Sequence, residues 1–290
     1  MGLVERYPAK GTFVAAVSDR PAQVGQVLIL VHGPPERGAL TVIQQEYVLG
    51  FEQECGERGY STTLRHVPRS EEKLNGGEAA GVCLLGIRKL SGGAGRCPVV
   101  HLAGMPGEGE GDCIHTDGVD GTRQAASHLI ELGHRRIGCH TKLLRLPQVR
   151  ARVEALKRAL EAADLDVDAR DFPISGSEPS PDMREVLVRS DRVTAVFCPS
   201  DPDGLAVLGV AGELGLKVPD DLSIVSYDGT ILAEHSIPPL TAVYADRIRA
   251  GRRAAVALLE RIDGTVTGPA REIITPVRLR VGGTTAGPAG

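Results

Sequence analysis

The sequence predicts a doubly wound α/β protein with two domains, and three observations lead to this prediction. Short apolar runs of strand type alternate with segments of helical period along the chain, which is typical of parallel sheets covered by helices. The strand-type runs are continuously apolar, as in strands that are buried on both faces. The length of 290 residues is sufficient for two hydrophobic cores.

The first half of the chain begins with a predicted strand over residues 26–31 and a predicted helix over 41–58. Apolar side chains recur at every fourth position of this helix, which places them on one face, as expected for a helix that covers a sheet. The members of this face are Ile43, Tyr47, Phe51 and Cys55. Further strands are predicted over residues 62–67, 81–85, 98–102 and 113–116.

The second half continues the alternation with a predicted helix over 121–132, a strand over 136–140 and a helix over 152–163. Val153, Leu156 and Leu160 form the apolar face of the last of these helices. The remaining predicted elements are a short helix around Met183, Val186 and Leu187, strands 193–198, 222–227 and 240–244, helices 204–214 and 248–262, and a strand-like tail over 272–281.

Composition and charge exclude several classes of protein. With 42% apolar and 24% charged residues the chain is not of disordered or fibrous composition. A net charge of −4 argues against a polybasic nucleic-acid-binding surface. No apolar run reaches the roughly 18 residues of a membrane span, and residues 1–20 have no signal-peptide core. We therefore expect a soluble, cytoplasmic protein without a membrane partner.

Motifs for catalysis or metal binding are not found in the sequence. It contains no nucleophile elbow, no zinc-protease motif and no P-loop, so no enzyme activity, cofactor or metal is expected. The six cysteines are scattered and are predicted to be small buried side chains, with zinc or disulfides as the alternative. Arg247, Arg249, Arg252 and Arg253 are predicted to form the solvated face of the last long helix.

Candidate ligand-binding residues follow the predicted strands, because ligands of doubly wound folds lie at the carboxyl ends of the strands. An arginine near the start of helix 152–163, Arg150 or Arg152, is placed to hold a polar ligand. Such donors and acceptors suit a hydroxylated or anionic small molecule. The positions that follow strands are Ala103, Asp117, Ser200, Asp201 and Asp228.

Three ordered motifs resemble the core of LacI-type transcriptional regulators. They are the segments 117–137 (beginning DGVDGTR and ending in GHRRI), 215–228 (GLKVPDDLSIVSYD) and 237–243 (IPPLTAV). The resemblance covers residues 25–285 and implies the fold of periplasmic sugar-binding proteins, in which two doubly wound subdomains flank a cleft.

The same resemblance implies that the chain crosses three times between the subdomains, near Asp117, Leu240 and Pro269. The expected N-terminal subdomain then comprises residues 21–117 and 241–268. The expected C-terminal subdomain comprises residues 118–240 and 269–290.

Carried over residue by residue, the resemblance implies that Arg152, Asp228, Ser200, Asp201 and Asp117 contact the ligand. Three positions depart from the family pattern: Ser200 and Gly118 replace asparagines, and Ala103 replaces an aspartate. Asn75 is the only asparagine in the chain, so compositional drift accounts for the first two departures. The carboxylate lost at Ala103 would supply about 1–3 kcal/mol of hydrogen bonding, which makes a typical monosaccharide effector less secure.

Residues 2–15 (GLVERYPAKGTFVA) resemble the end of a GntR-type winged-helix domain, with an arbitrary N-terminal strand as the alternative. The resemblance implies that residues 1–20, with Arg6 and Lys10, are the remnant of a wing and linker. The recognition helix would precede Met1. We therefore expect operator DNA to be a partner only if an upstream winged helix is present, and non-specific DNA binding from the 290 residues alone.

Together these features predict the effector-binding and dimerisation core of a bacterial transcriptional regulator. A sugar-like effector is expected to close the cleft and alter DNA binding. A homodimer is expected through helices 41–58 and 204–214 and the segment around Ser236. The alternatives are a solute-binding protein of a sugar transporter, which needs export, and an enzyme on the same scaffold, for which no nucleophile–base pair is found.

Overall fold

The computed structural model describes residues 4–7, 11–14, 25–32, 40–67, 79–87, 97–105, 107, 111–172 and 182–288. The strands in this part of the chain form a two-stranded ribbon, a six-stranded sheet and a five-stranded sheet. They are β1 (Val4–Tyr7), β2 (Gly11–Val14), β3 (Gly25–His32), β4 (Tyr60–Val67), β5 (Gly81–Leu85), β6 (Val99–Leu102), β7 (Asp112–Thr116), β8 (Ile137–Cys139), β9 (Ala195–Cys198), β10 (Ser223–Asp228), β11 (Thr241–Ala245), β12 (Glu272–Thr275) and β13 (Val277–Arg280).

Helices of 4 to 16 residues alternate with many of these strands, as the sequence predicts, whereas β4 to β7 follow one another without a described helix. They are α1 (Val42–Glu57), α2 (Gly118–Glu131), α3 (Pro147–Glu161), α4 (Met183–Leu187), α5 (Asp201–Glu213), α6 (Ile231–Glu234) and α7 (Arg247–Ile262), and a 3-10 turn spans Ala169–Asp171. Among the described helices, none is both long and apolar enough to cross a membrane.

The six-stranded sheet is parallel throughout, in the order β12-β7-β6-β5-β3-β4. Helices α1 and α7 cover one face, and Val27, Ile29 and Val31 of β3 point into the core beneath them. Leu28 and Leu30 of the same strand belong to a second core on the opposite face. Burial on both faces explains why β3 is continuously apolar. We call this sheet with α1 and α7 the first lobe.

Helices α1 and α7 pack through two glycines at unusually short range. A Cβ atom on Gly50 would lie 1.9 Å from the carbonyl oxygen of Ile248, and one on Gly251 would lie 2.1 Å from that of Tyr47. Only glycine permits such close approach of two backbones. The pair of glycines therefore sets the distance between the two helices.

The five-stranded sheet has the order β13-β11-β10-β9-β8 and is parallel except for β13, which runs antiparallel to β11. Helices α2 and α3 contribute to the core on one face, and α4, α5 and α6 to the core on the other. Helices on both faces make this lobe doubly wound, which confirms the predicted fold class. We call this sheet with α2 to α6 the second lobe.

The chain passes three times between the lobes, at Asp117, Asp246 and Pro276, and this corrects two of the three expected crossings. A crossing near Leu240 is wrong because β11 pairs with β10 in the second lobe. A crossing near Pro269 is wrong because β12 pairs with β7 in the first lobe. Residues 241–245 therefore lie with the second sheet and 272–275 with the first.

All three crossings leave the carboxyl end of a parallel strand, so the carboxyl ends of both sheets meet at one junction. Asp117 and Asp246 each begin a helix there, and their side chains accept hydrogen bonds from the backbone N–H groups of Asp120 and Arg249. Aspartate is well suited to such a cap because it satisfies an unpaired N–H at the positive end of the helix dipole. The junction is where ligands of this fold class bind.

Several other expectations have a structural outcome. The six cysteines are free, and all but the half-buried Cys97 are buried, as predicted. Strands β1 and β2 pair antiparallel as a ribbon, with Arg6 on β1, whereas Lys10 lies outside the described residues. The segments that follow β4 and β5, 68–78 and 88–96, also lie outside them.

Candidate functional site

The predicted ligand-binding residues come together at the junction between the lobes. Arg152 enters from α3, Ser200 and Asp201 begin α5, Asp228 ends β10, and Asp117 precedes α2. They come from four separate elements, which meet because the carboxyl ends of β9 and β10 are neighbours. Each of the five has a different set of contacts, and those contacts separate the candidate ligand contacts from the residues that hold the site together.

Arg152 is 8% exposed and is held by three contacts. Its guanidinium carbon lies 3.4 Å from the centroid of the Tyr227 ring, its Nη1 donates to the carbonyl oxygen of Pro199 at 2.7 Å, and Nη1 lies 3.5 Å from Oδ1 of Asp228. Stacking on an aromatic face and fixed donors leave the group little freedom.

The Nε atom of Arg152 differs from these engaged groups. Among the described residues, its buried Nε has no hydrogen-bond partner, which is a costly arrangement for a charged group. A Cβ atom on Gly118 would lie 3.6 Å from this nitrogen. Because Gly118 has no side chain, an acceptor atom of a ligand has room beside Nε.

Asp228 ends β10 with a φ of 119°, a backbone conformation that residues other than glycine rarely adopt. The turn that follows is held by Asp201. Both oxygens of the Asp201 carboxylate are used: Oδ1 accepts from Ser226 Oγ at 2.7 Å and Gly229 N at 3.3 Å. Oδ2 accepts from the N–H and the hydroxyl of Thr230, each at 2.7 Å. Asp201 therefore positions Asp228, with its own oxygens engaged by protein donors.

Replacing Asp201 by asparagine should lower the free energy of unfolding by about 1.5–3 kcal/mol, because hydrogen bonds to a buried charged acceptor are lost. Chemical denaturation of the variant and of Asp220→Asn would measure this effect. Asp220 is exposed, so its substitution should stay within about 0.5 kcal/mol. Equal stability of the two variants would contradict the role assigned to Asp201.

The carboxylate of Asp228 has an unusually high pKa. Burial raises its pKa to about 6, against the opposing effects of Arg152 and Arg247, and the nearby Asp201 raises it further. Asp228 therefore changes charge at a pH close to neutrality, whereas an ordinary aspartate is fully ionised there.

The prediction that Arg247 lies on the solvated face of α7 is wrong, because this residue is only 2% exposed. Its Nη1 donates to Oε2 of Glu46 at 2.9 Å, and its Nη2 donates to the backbone oxygen of Asp228. Burial opposes the charge of Arg247, but Asp228, Tyr47 and Glu46 raise its pKa. Arg252 of the same predicted face is half-exposed and contacts Glu54 and Glu57 of α1.

Periodicity within α7 could not place Arg247, because this residue begins the helix and points back to the junction. The signal that would have found it is its position directly after Asp246 at the carboxyl end of β11. The same criterion selected the other candidates.

Ser200 and Asp117 serve mainly as helix caps. Ser200 accepts from Asp203 N at 3.2 Å and donates to Asp203 Oδ2 at 2.8 Å, which is the capping geometry of α5. The backbone oxygen of Asp117 accepts from the hydroxyl of Tyr227 at 3.3 Å. Through Tyr227 the first crossing is thus connected to Arg152.

Ala103 follows β6 in the first lobe, where its N–H donates to the oxygen of Ile114 at 2.9 Å. Its φ is 57°, so the backbone turns sharply at this position. Within the part of the chain that the structure describes, no group of three His, Cys, Asp or Glu side chains is arranged to hold a metal ion.

The comparison with protein families matches residues 126–285 to the model of the periplasmic binding protein-like domain. This segment is slightly more than half of the chain and contains α3, β9, β10 and β11. It therefore includes Arg152, Ser200, Asp201, Asp228 and Arg247.

Two curated proteins illustrate the relatives of the chain. The HTH-type transcriptional regulator CelR of Thermobifida fusca is 37% identical over 166 residues, which cover 56% of this chain and 48% of that protein. The HTH-type transcriptional repressor PurR of Haemophilus influenzae (strain PittEE) is 30% identical over 254 residues, which cover 80% of this chain and 74% of that protein. The chain thus spans about half of the first and three quarters of the second.

A solved structure is similar along most of the chain. The transcriptional regulator CelR in complex with cellobiose superposes with a TM-score of 0.77 at 28% sequence identity. The match covers 89% of this chain and 84% of that one, so it includes both lobes and the junction.

Proposed function

Since the chain belongs to the LacI family of transcriptional regulators and contains its periplasmic-binding-protein-like domain, we propose that it is the effector-binding core of a bacterial regulator. A small molecule at the junction would change the angle between the lobes and thereby alter the affinity for operator DNA in the cytoplasm. The observation that carries this proposal is the buried pair of Arg152 and Asp228 at the junction.

A hydroxylated, sugar-like effector fits the donors and acceptors of this pair. The ionised carboxylate of Asp228 accepts hydrogen bonds from hydroxyl groups, and the unused Nε of Arg152 donates one to a ligand oxygen. The related CelR was solved with cellobiose, which supports a carbohydrate. The change at Ala103 favours an effector that differs from a typical monosaccharide.

Isothermal titration calorimetry of the 290-residue chain against a panel of monosaccharides, disaccharides and nucleosides would test the proposal. We expect saturable binding of at least one disaccharide or monosaccharide. Absence of binding across the whole panel would contradict the effector-binding function.

The affinity for such an effector should depend on pH. Asp228 has a pKa of about 6, so it is ionised above that pH and protonated below it. A carboxylate that must accept hydroxyl hydrogen bonds is needed in the ionised form. Affinity should therefore fall about tenfold for each pH unit below about 6. Titrations from about pH 7.5 to about pH 5 would measure this, and in Asp228→Asn the dependence should disappear.

We also propose a homodimer, formed through α1, α5 and the segment around Ser236. Large apolar side chains are exposed near this segment, which is a feature of association surfaces. They are Ile231, Leu232, Val281 and Ile237, the last of which is 92% exposed.

A charge placed on this surface should separate the dimer. We expect Ile237→Asp to shift the mass in light scattering toward the monomer at micromolar concentration. Ile274→Asp is the matched control, because Ile274 is also exposed but lies on β12, at the edge of the six-stranded sheet opposite to β4. A monomeric parent protein, or a dimer that Ile237→Asp leaves intact, would contradict the proposed surface.

The N-terminal ribbon of β1 and β2 is proposed to be a GntR-type wing within residues 1–20. The antiparallel pairing of β1 and β2 supports this assignment, since a wing is a two-stranded ribbon. A gel shift with operator-like DNA tests it: weak, salt-sensitive and sequence-independent binding is expected from a two-stranded wing by itself. Sequence-specific binding that resists salt would contradict it.

A further inference from the structure

We propose that Arg247 is a positioning residue that connects the candidate effector site to helix α1, because its guanidinium joins Asp228 of the second lobe to Glu46 of the first. The inference rests on the proposed function, since it concerns the regulation of the same site. Arg247 is the first residue of α7 and lies directly at the second crossing.

Different nitrogens of Arg247 serve the two lobes. Nη1 donates to Oε2 of Glu46 on α1 at 2.9 Å. Nη2 donates to the backbone oxygen of Asp228 and lies 3.4 Å from its Oδ1. Since the guanidinium is planar and rigid, a shift that improves one contact changes the other.

Few other ionisable groups face Asp228. Asp228 is approached by Arg152 from α3, by Asp201 from α5 and by Tyr47 from α1, in addition to Arg247 from α7 and Tyr227 of its own strand. Asp201 is already satisfied by four donors. Arg152 and Arg247 are therefore the two cations between which the Asp228 carboxylate lies.

The burial of this cluster makes Asp228 and Glu46 competitors for one guanidinium. Electrostatic interactions are strong where water is excluded, and Arg247 is almost completely buried. When an effector engages the carboxylate of Asp228, the attraction between Asp228 and Arg247 weakens and Arg247 moves toward Glu46. Occupancy of the site then alters how firmly α1 is held.

Arg252 provides a matched comparison on the same helix. It also joins α7 to α1, through Glu54 at 3.3 Å and Glu57 at 3.0 Å. It is half-exposed, and among the described residues its side-chain partners lie on α1 and not in the second lobe. Loss of Arg252 should weaken the contact between the helices without affecting their response to Asp228.

Hydrogen-exchange mass spectrometry of the full chain without effector would test the connection. The variant Asp228→Asn keeps the backbone acceptor but removes the carboxylate charge that competes with Glu46 for Arg247, so exchange in the α1 peptide should slow by a factor of about two to five. This slowing should be absent when Asp228→Asn is combined with Glu46→Gln. Arg247→Lys should also suppress it, because one ammonium cannot span both acceptors. In the Arg252→Met background the slowing should persist.

Two results would overturn the inference. One is an α1 peptide that Asp228→Asn leaves unchanged. The other is an equal slowing in the Glu46→Gln background, which would mean that the effect does not pass through Arg247. Because no effector is added, this experiment is independent of the calorimetric panel. A silent panel would contradict the proposed function, whereas the exchange data alone decide the role of Arg247.

Discussion

Replacing Arg152 by alanine is expected to weaken effector binding by about one hundredfold or more while both lobes remain folded. The substitution removes the free Nε donor and the group stacked on Tyr227. A hydrogen bond to a charged group contributes about 1.5–3 kcal/mol, and about 1.4 kcal/mol corresponds to a tenfold change in affinity. Calorimetry with the effector found in the panel would measure the loss.

The fold should survive this change because the charge of Asp228 can adapt. Without Arg152 the carboxylate loses one of the two cations that lower its pKa, so it becomes protonated more readily. Circular dichroism should therefore be unchanged. Arg158→Ala is the matched control, since Arg158 lies on the same helix but is exposed. Equal affinities of the Arg152 and Arg158 variants would exclude Arg152 from the binding site.

Replacing Gly50 by alanine is expected to destabilise the first lobe by at least about 3 kcal/mol. The added methyl group would lie 1.9 Å from the backbone oxygen of Ile248. A side-chain rotation cannot relieve a contact with backbone, so α1 and α7 must move apart. Chemical denaturation would give the change in the free energy of unfolding.

The control for this substitution lies one and a half turns further along the same helix. A Cβ atom on Gly56 would meet nothing within 4 Å, so Gly56→Ala should be neutral, or stabilising by up to about 1 kcal/mol through helix propensity. Similar effects at the two positions would show that the helix contact does not determine stability. A displaced α1 would also carry Glu46 away from Arg247, so the Gly50 variant should alter the effector site indirectly.

Local patterns were sufficient for most of the secondary structure. The continuously apolar run of β3 and the four-residue spacing of Tyr47, Phe51 and Cys55 on α1 correspond to buried strand and buried helix face in the structure. The position after a strand identified Asp228 and the position near the start of a helix identified Arg152, and the two side chains lie together in the structure. These features depend on short-range periodicity and on chain direction, which are readable from neighbouring residues.

The partners of the site residues could not be read in the same way. Asp201 was predicted to contact the ligand, but its oxygens are engaged by Ser226, Gly229 and Thr230, more than 20 positions later in the chain. Two crossings were misplaced because strand pairing decides to which sheet β11 and β12 belong. An isolated strand carries no pattern that selects between two parallel sheets.

The sequence by itself determined that this protein is an α/β chain of the LacI type with polar side chains at the carboxyl ends of its strands. Only the tertiary structure decided that Arg247 is buried between Glu46 and Asp228 and that the buried Nε of Arg152 has no partner among the described residues. The reason is physical: periodicity reports which face of an element is buried. The charge that a buried side chain meets depends instead on other elements of the fold. Arg247 and Glu46, for example, are 201 positions apart in the sequence.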